Sequence, residues 1–159
     1  MSAVARYADQ PLLAALRGAV PPMWMRWEPG PVENPHGPVV VSFTEYVPHS
    51  WATYHRFVRD GMRLAKGWYA MEGAVGLYLY GQPLRKRGGS VSVWTSEEEL
   101  RRFIALPRHV QIMRQYRTLG VIRAVTWTQD RFDPSAVKRA ALDWLSGEDI
   151  PGARARPPR

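Results

Sequence analysis

Two of the four histidines in this 159-residue chain lie on predicted helices, where an imidazole can do chemistry. His109 shares a helical face with apolar residues such as Ile112 and Met113, so we predict that it projects into an apolar space between helix and sheet. A neutral imidazole there can ligate haem iron, act as a general base or simply hydrogen-bond a carbonyl group, and the sequence leaves all three roles open. His55, on the predicted inner face of an earlier helix, is the second candidate for proton transfer.

Large apolar side chains could form the walls of a binding site around these histidines. A flat apolar ligand needs such walls, and the candidates are Phe43, Trp68, Leu77, Trp94, Phe103 and Met113. Haem would also need cations for its propionates, and the candidates are Arg85, Lys86, Arg87, Arg101, Arg102 and Arg123. The same walls would serve an aromatic polyketide or a carotenoid, so they indicate a bulky apolar or aromatic small molecule without choosing haem.

Composition and missing motifs exclude several other kinds of site. The lack of cysteine excludes disulfides, zinc–thiolate sites and thiol nucleophiles, and it is compatible with the cytoplasmic location that we predict. The sequence has no Walker loop, dinucleotide-binding fingerprint, nucleophile elbow or H-E-x-x-H motif. No apolar run approaches the roughly 18 residues of a membrane span. The net charge of +8 favours anionic partners, but nucleic acid is disfavoured because no recognition motif accompanies the charge.

Hydrophobic patterns and turn residues divide the core of the chain, residues 39–130, into strands and helices. Strands are predicted over 39–46, 74–80, 90–94 and 121–129. One helix is predicted between its N-cap Ser50 and Gly67, and a second helical region starts at the capping box of Ser96 and is interrupted by Pro107. The order β-α-β-β-α-β predicts an α+β domain with a ferredoxin-like sheet.

Alternation along the predicted strands distinguishes two faces of the sheet. One face is aliphatic and is predicted to lie under the helices; it comprises Val39, Val41, Phe43, Val75, Leu77, Leu79, Val91, Val93, Ile122 and Ala124. The other face carries aromatic and hydroxyl side chains; it comprises Ser42, Thr44, Tyr46, Tyr78, Tyr80, Ser90, Ser92, Trp94, Arg123, Val125 and Trp127. Because Arg123 is its one obvious charge, we predict that this face is buried against a second copy of the chain in a homodimer. A half-exposed antiparallel face is the alternative.

Further segments extend this core at both ends. The predicted division of the chain is 1–38, a short N-terminal helix and a Pro-rich arm; 39–130, the ferredoxin-like domain; 131–147, a C-terminal helix; and 148–159, a basic Pro-rich tail expected to be disordered. The short helix is predicted over residues 9–20. Trp24 and Trp27 indicate that the arm packs on the domain, on a partner subunit or on a ligand, because a solvated linker has little use for two indoles.

The core resembles the dimeric α+β barrel superfamily. The resemblance covers about residues 39–130 and rests on a β-α-β-β-α-β unit that carries Val93-Trp94-Thr95-Ser96, Leu100, Phe103 and His109. This superfamily includes antibiotic-biosynthesis monooxygenases, haem-degrading monooxygenases and haem enzymes such as aldoxime dehydratase. The spacing of Trp94, Phe103 and His109, together with Gly67-Trp68 before the second strand, is most similar to the spheroidene monooxygenase-like branch.

The resemblance implies an oxygenase-type enzyme of secondary metabolism, and it leaves three hypotheses. In the first, His109 is the axial ligand of haem, and the site is completed by Met113, Phe103, Trp94, Trp68 and Arg123. In the second, the chain is a cofactor-free oxygenase, cyclase or isomerase of the same fold, and His109 or His55 transfers a proton. The third is a non-catalytic ligand-binding module. The haem-ligating histidine of the haem-degrading members would fall at Met113, so the sequence departs from those members there.

Overall fold

The computed structural model describes residues 21–156, and the helix predicted over 9–20 lies outside this range. The strands in this part of the chain are β1 Met23–Trp24, β2 Glu28–Pro29, β3 Val39–Pro48, β4 Ala74–Gln82, β5 Arg87–Trp94, β6 Gly120–Gln129 and β7 Arg154–Arg156. The helices are α1 Trp51–Ala65, α2 Glu97–Ala105, α3 Pro107–Tyr116 and α4 Pro134–Ser146, with short 3-10 turns at Trp68–Ala70 and Pro83–Arg85. Every strand and helix predicted within residues 39–147 is present.

The strands form one antiparallel sheet in the order β1-β4-β5-β3-β6-β7, and β2 also pairs with β4. The four long strands, taken in sequence order, therefore lie side by side as fourth, first, third and second. This is the strand arrangement of a β-α-β-β-α-β unit, in which each helix crosses over the sheet between two strands that are not neighbours. The α+β, ferredoxin-like fold predicted from the sequence is confirmed.

Local sequence explains where the helices begin and end. The side chains of Ser50, Ser96 and Asp133 accept hydrogen bonds from backbone amides two or three residues later, as N-caps do. Pro107 starts α3, because its ring is favourable in a first helical turn but cannot continue α2. Gly147 ends α4 in the left-handed conformation with φ of 90°, which costs glycine little.

The assignment of residues to the two faces of the sheet differs from the sequence prediction. Leu77 of β4 lies opposite Ser92, and Tyr78 lies opposite Val91, so the aliphatic and hydroxyl positions of neighbouring strands are mixed on each face. A bulge between Ala74 and Gly76 adds a further change of phase within β4. Alternation fixes which residues of one strand share a face, but only the pairing register fixes how that strand is phased against its neighbours.

The face that carries hydroxyl groups lies under helices α1, α2 and α3. It comprises Val40, Ser42, Thr44, Leu77, Leu79, Ser90, Ser92 and Trp94. The predicted contact of Ser42, Ser92 and their neighbours with a second copy is therefore wrong, because the chain's own helices cover them. This face provides the floor of the cavity described below.

The opposite face is also covered within the chain. It comprises Val39, Val41, Phe43, Val75, Tyr78, Tyr80, Val91, Val93, Val125 and Trp127. Val137, Ala141 and Leu145 of α4 bury their side chains against it. The sheet face that we predicted to meet a partner subunit thus meets the C-terminal helix instead.

The N-terminal arm completes this covering layer. Trp24 contacts Tyr78 and Tyr80, with ring centroids 6.0 and 5.5 Å apart. Trp27 packs on Tyr78 at 4.6 Å and lies over Gly76, where an added Cβ would overlap the indole. Of the three surfaces considered for the arm, the structure places it on the domain itself.

A buried ion pair anchors the same face at its far end. The carboxylate of Glu45, 1% exposed, accepts hydrogen bonds from Arg87 at 2.9 Å and from Arg123 at 2.7 Å. The Arg123 guanidinium also lies 5.7 Å from the ring centroid of Trp144 in α4. A carboxylate buried in an apolar layer needs such partners, because removing an unpaired charge from water is costly.

Part of the C-terminal tail is ordered. The tail was expected to be disordered over 148–159, but Arg154–Arg156 form strand β7, which pairs with β6 at the edge of the sheet. Ile150 is buried beside α4 and leads the chain back to this edge. Within residues 21–156, none of the helices combines the length and apolar character that crossing a bilayer requires.

Candidate active site

A cavity lies between the hydroxyl-bearing face of the sheet and the helices that cover it. It encloses about 110 Å³ and is lined by Met25, Ser42, Thr44, Phe57, Val58, Gly61, Leu64, Trp68, Leu77, Leu79, Tyr80, Gly89, Ser90, Ser92, Leu100, Phe103, His109, Ile112, Met113 and Arg156. Its volume is comparable to the roughly 150 Å³ of an apolar cavity that accepts benzene. A single aromatic ring, or one edge of a larger ring system, fits a space of this size.

His109 reaches this cavity from the first turn of α3, as the sequence predicted. Its Nδ1 lies 3.1 Å from the carbonyl oxygen of Ile104 at the end of α2. A carbonyl can only accept a hydrogen bond, so Nδ1 carries the proton, and Nε2 keeps its lone pair. The break between the two helices at Pro107 is what brings the ring back to this carbonyl.

The surroundings of His109 favour its neutral form. Burial lowers the pKa of the imidazole from its usual 6.5, a hydrogen bond to Ile104 partly counters this effect, and the positive charge of Arg156 lowers the pKa further. The ring also packs on Phe103, with centroids 4.5 Å apart. Near neutral pH His109 therefore presents an unprotonated nitrogen in an apolar space, as a general base or a metal ligand must.

An aromatic cluster forms one wall of the cavity. Trp68, Trp94 and Phe103 contact one another, with centroid separations of 5.1 to 5.3 Å. The indole of Trp94 lies behind the wall and donates a hydrogen bond to the Ser92 hydroxyl at 2.9 Å. The buried Nε1 of Trp68 has no hydrogen-bond partner within residues 21–156. This wall offers flat apolar surface and one unused N–H donor.

The structure separates the predicted site residues into two groups. His109, Met113, Phe103 and Trp68 line the cavity, and Trp94 supports it from behind. Arg123 lies on the other face of the sheet, paired with Glu45, so its predicted place in a ligand site is wrong.

The predicted inner position of His55 is also wrong. Its side chain is exposed beside Trp51, which is itself 50% exposed. The face of α1 that meets the sheet carries Tyr54, as predicted, together with Phe57 and Leu64. The predicted apolar face of α1 was too wide: Tyr54 and Ala65 are buried and Val58 lines the cavity, but the side chains at its edge are exposed, namely Trp51, His55 and Met62.

The residues of this cavity do not fit haem. Its volume is well below the roughly 300–1,000 Å³ of pockets for larger ligands. Of the six cations proposed for propionates, none lines the cavity: Arg87 and Arg123 bind Glu45, and Arg101 and Arg102 pair with exposed glutamates of α2. Separately from haem, no three His, Asp or Glu side chains within the described residues cluster as a site for a free metal ion would require.

Two features of the site were not predicted from the sequence. Four hydroxyl side chains of β3 and β5 form the cavity floor, namely Ser42, Thr44, Ser90 and Ser92. They were recognised as small polar positions but were placed in a subunit interface. Arg156 lines the cavity from strand β7, and nothing in a Pro-rich basic tail signals that it will pair with a strand.

Comparison with known proteins finds similar solved structures but no matching sequence family. No protein-family model and no curated protein matches this sequence. Among solved structures it is similar to SnoaB, a cofactor-independent oxygenase from Streptomyces nogalater, with 20% identity over 60% of this chain and 97% of that chain and a TM-score of 0.51. It is also similar to LmHde, a heme-degrading enzyme from Listeria monocytogenes, with 16% identity over 65% of this chain and 68% of that chain and a TM-score of 0.48.

Similarity at 20% identity speaks for the fold and not for the reaction. Almost all of SnoaB corresponds to part of this chain, and about two fifths of this chain lies outside the match. Together with the strand order and crossover helices described above, this similarity shows that the chain has a ferredoxin-like α+β fold, as the resemblance in its sequence indicated.

Proposed function

We propose that this chain is a cofactor-free, oxygenase-type enzyme that acts on a flat aromatic small molecule, with His109 as the general base. The observation that carries the proposal is the place of the His109 imidazole in an apolar cavity, with Nδ1 3.1 Å from the Ile104 carbonyl oxygen, which leaves Nε2 to accept a proton. In the described part of the chain, no carboxylate lines this cavity, so His109 is its one base that works near neutral pH.

The low basicity of His109 limits the substrate. An imidazole whose pKa is below 6.5 removes a proton only from an acidic group, such as a phenol or a methylene activated by a carbonyl and flanking aromatic rings. The flat wall of Trp68 and Phe103 suits such rings. The Trp68 Nε1 and the floor hydroxyls can donate hydrogen bonds to an oxygen that gains negative charge.

The reaction uses the substrate's own electrons. His109 takes a proton from the activated methylene, and the resulting carbanion reduces molecular oxygen. The carbon forms a bond to one oxygen atom and becomes a carbonyl, while the second oxygen atom leaves as water with the two hydrogens. The sum, CH2 plus O2 giving C=O plus H2O, needs no other reductant.

Oxygen consumption tests the proposal directly. With a tricyclic aromatic ketone that carries a doubly benzylic methylene, we expect turnover by the wild-type protein and a loss of about 10²–10⁴-fold in kcat/KM in His109→Gln. His55→Gln is the matched control, because that histidine is exposed on α1, and we expect it to retain full activity. Activity that survives in His109→Gln would disprove the role of this residue.

Two further measurements on the wild-type protein test the haem hypothesis and the hypothesis of a non-catalytic ligand-binding module. Added haemin should give no Soret band that depends on His109, since the cavity does not accommodate haem. A protein that binds aromatic ligands with normal folding but never consumes oxygen would instead be a passive binding module.

A further inference from the structure

A glycine in the middle of α1 leaves open space at the cavity. Gly61 lines the cavity, and a Cβ added to it would have no atom of another element within 4 Å in the described part of the chain. Its backbone is helical, so its conformation does not require glycine either. Glycine destabilises the interior of a helix relative to alanine. Gly61 therefore carries a cost that the packing of the described residues does not explain.

The N-terminal arm borders an opening of the cavity. Met25 follows β1, and its backbone amide donates a hydrogen bond to the Leu79 carbonyl of β4 at 2.9 Å. The side chain of Met25 lines the cavity but is 39% exposed, whereas all the other lining residues are buried or half-buried. The cavity therefore opens to solvent beside Met25.

Contacts along β4 place Gly61 at the level of this opening. Near the end of the strand, a Cβ added to Gly81 would lie 3.1 Å from the Tyr54 hydroxyl in the first turn of α1. Just after α1, Trp68 packs in one cluster with Leu77, four residues earlier on the strand. Gly61 lies midway along the chain between these two contacts. Helix α1 thus carries it over the stretch of β4 that the arm binds.

We propose that Gly61 and Met25 frame a slot through which substrates of two or three fused rings extend out of the cavity. The enclosed volume of about 110 Å³ suits one ring, so the reacting ring lies at His109 and the rest of a longer ligand passes the opening. There it lies against the bare backbone of Gly61, and Met25 covers its outer edge, because a flexible thioether packs well on aromatic surface. This inference rests on the proposed function and names the length of substrate that the site selects.

Equilibrium dialysis with phenol and 2-hydroxyanthracene, probes of one ring and of three fused rings, tests the slot. We expect the wild-type protein to bind 2-hydroxyanthracene at least about tenfold more tightly than phenol, because more apolar surface leaves water. In Gly61→Leu the new side chain fills the slot, so the affinity for 2-hydroxyanthracene should fall at least about tenfold, while that for phenol changes by less than about twofold. Ala52→Leu is the matched control, because it adds bulk to an exposed position of α1 outside the cavity.

Met25→Ala tests the slot from its other side. Loss of the thioether should weaken the binding of 2-hydroxyanthracene about three- to tenfold and leave the binding of phenol unchanged. Met23→Ala is its control, because Met23 is 60% exposed on the same arm and does not line the cavity. Should Gly61→Leu fail to fold, the result for Met25→Ala decides.

The outcomes separate this inference from the proposed function. If either variant binds 2-hydroxyanthracene as tightly as the wild-type protein does, or if the wild-type protein binds both probes equally, there is no slot. Turnover that depends on His109 would still support the proposed function in that case. If folded Gly61→Leu loses both probes, Gly61 belongs to the enclosed cavity and the slot is likewise overturned. If neither probe binds the wild-type protein, both proposals fail.

Discussion

The chemistry of His109 depends on one backbone contact. The Ile104 carbonyl holds the proton on Nδ1 and fixes the orientation of the ring, so Nε2 is the nitrogen that can act on a substrate. Phe103 supports the ring from the side at 4.5 Å. A histidine on an apolar helix face can simply be a satisfied core residue, but such a residue would have both nitrogens engaged or one of them sealed from any cavity.

The lowered pKa of His109 predicts how activity depends on pH. A general base works only when it is unprotonated, so kcat/KM should rise with pH through a pKa below 6.5 and level off above about pH 7. The measurement is a profile of oxygen consumption between about pH 5 and 8. An activity that falls as the pH rises through this range would mean that the protonated imidazole is the active form.

At the scale of elements, the arm and the last helix convert a half-covered sheet into a closed layer. Trp24 and Trp27 of the arm, and Val137 and Ala141 of α4, bury Tyr78 and its neighbours. Burial of this much aromatic and aliphatic surface is favourable, since each large apolar side chain contributes about 1.5–3 kcal/mol when it leaves water. These segments are therefore part of the folded domain.

The contact of Trp27 with β4 predicts the effect of a single methyl group. In Gly76→Ala the new Cβ would overlap the indole, so the arm must shift, and we expect a loss of about 1–3 kcal/mol in the free energy of unfolding. Gly67→Ala is the control, because its Cβ would meet only ordinary contacts at a φ of −95°, and it should change stability by less than about 0.5 kcal/mol. Urea denaturation followed by tryptophan fluorescence measures both, and equal stabilities of the two variants would contradict the docking of the arm.

At the scale of the whole molecule, α4 occupies the place that we had assigned to a second subunit. The covered face contains Tyr78, Val125 and Trp127, each at most 8% exposed in the single chain. A sheet-to-sheet homodimer would require α4 to leave this face. The apolar sheet face that suggested a partner subunit is therefore buried within one chain.

Displacing α4 should expose this apolar sheet face and make the chain self-associate. Ala141 is fully buried between α4 and the sheet, and in Ala141→Glu a charge would have to enter this layer, which costs several kcal/mol. We expect this variant to self-associate with rising concentration, while the wild-type protein and the exposed-site control Arg139→Ala keep the 18.1 kDa mass of one chain. Light scattering coupled to size-exclusion chromatography measures this. A wild-type dimer that Ala141→Glu leaves unchanged would show that subunits meet elsewhere.

The sequence by itself determined the elements and much of the candidate site. Strand composition, the caps Ser50 and Ser96, and the break at Pro107 are local signals, so the β-α-β-β-α-β order could be read from them. The cavity-facing position of His109 followed from the helical spacing of its apolar neighbours. Trp68, Phe103 and Met113 were correctly identified as possible walls of a binding cavity, because large apolar side chains on the inner faces of the elements line any space left between them.

Only the tertiary structure decided how these elements are phased against one another. Strand register determined that Ser42 and Ser92 lie under helices while Tyr78 faces α4, and no pattern within one strand contains that information. The rotation of α1 placed His55 in water, and the pairing of β7 with β6 brought Arg156 to the cavity that His109 lines. Each of these outcomes depends on contacts between residues far apart in sequence, where the free energy of the whole packed structure outweighs local preference.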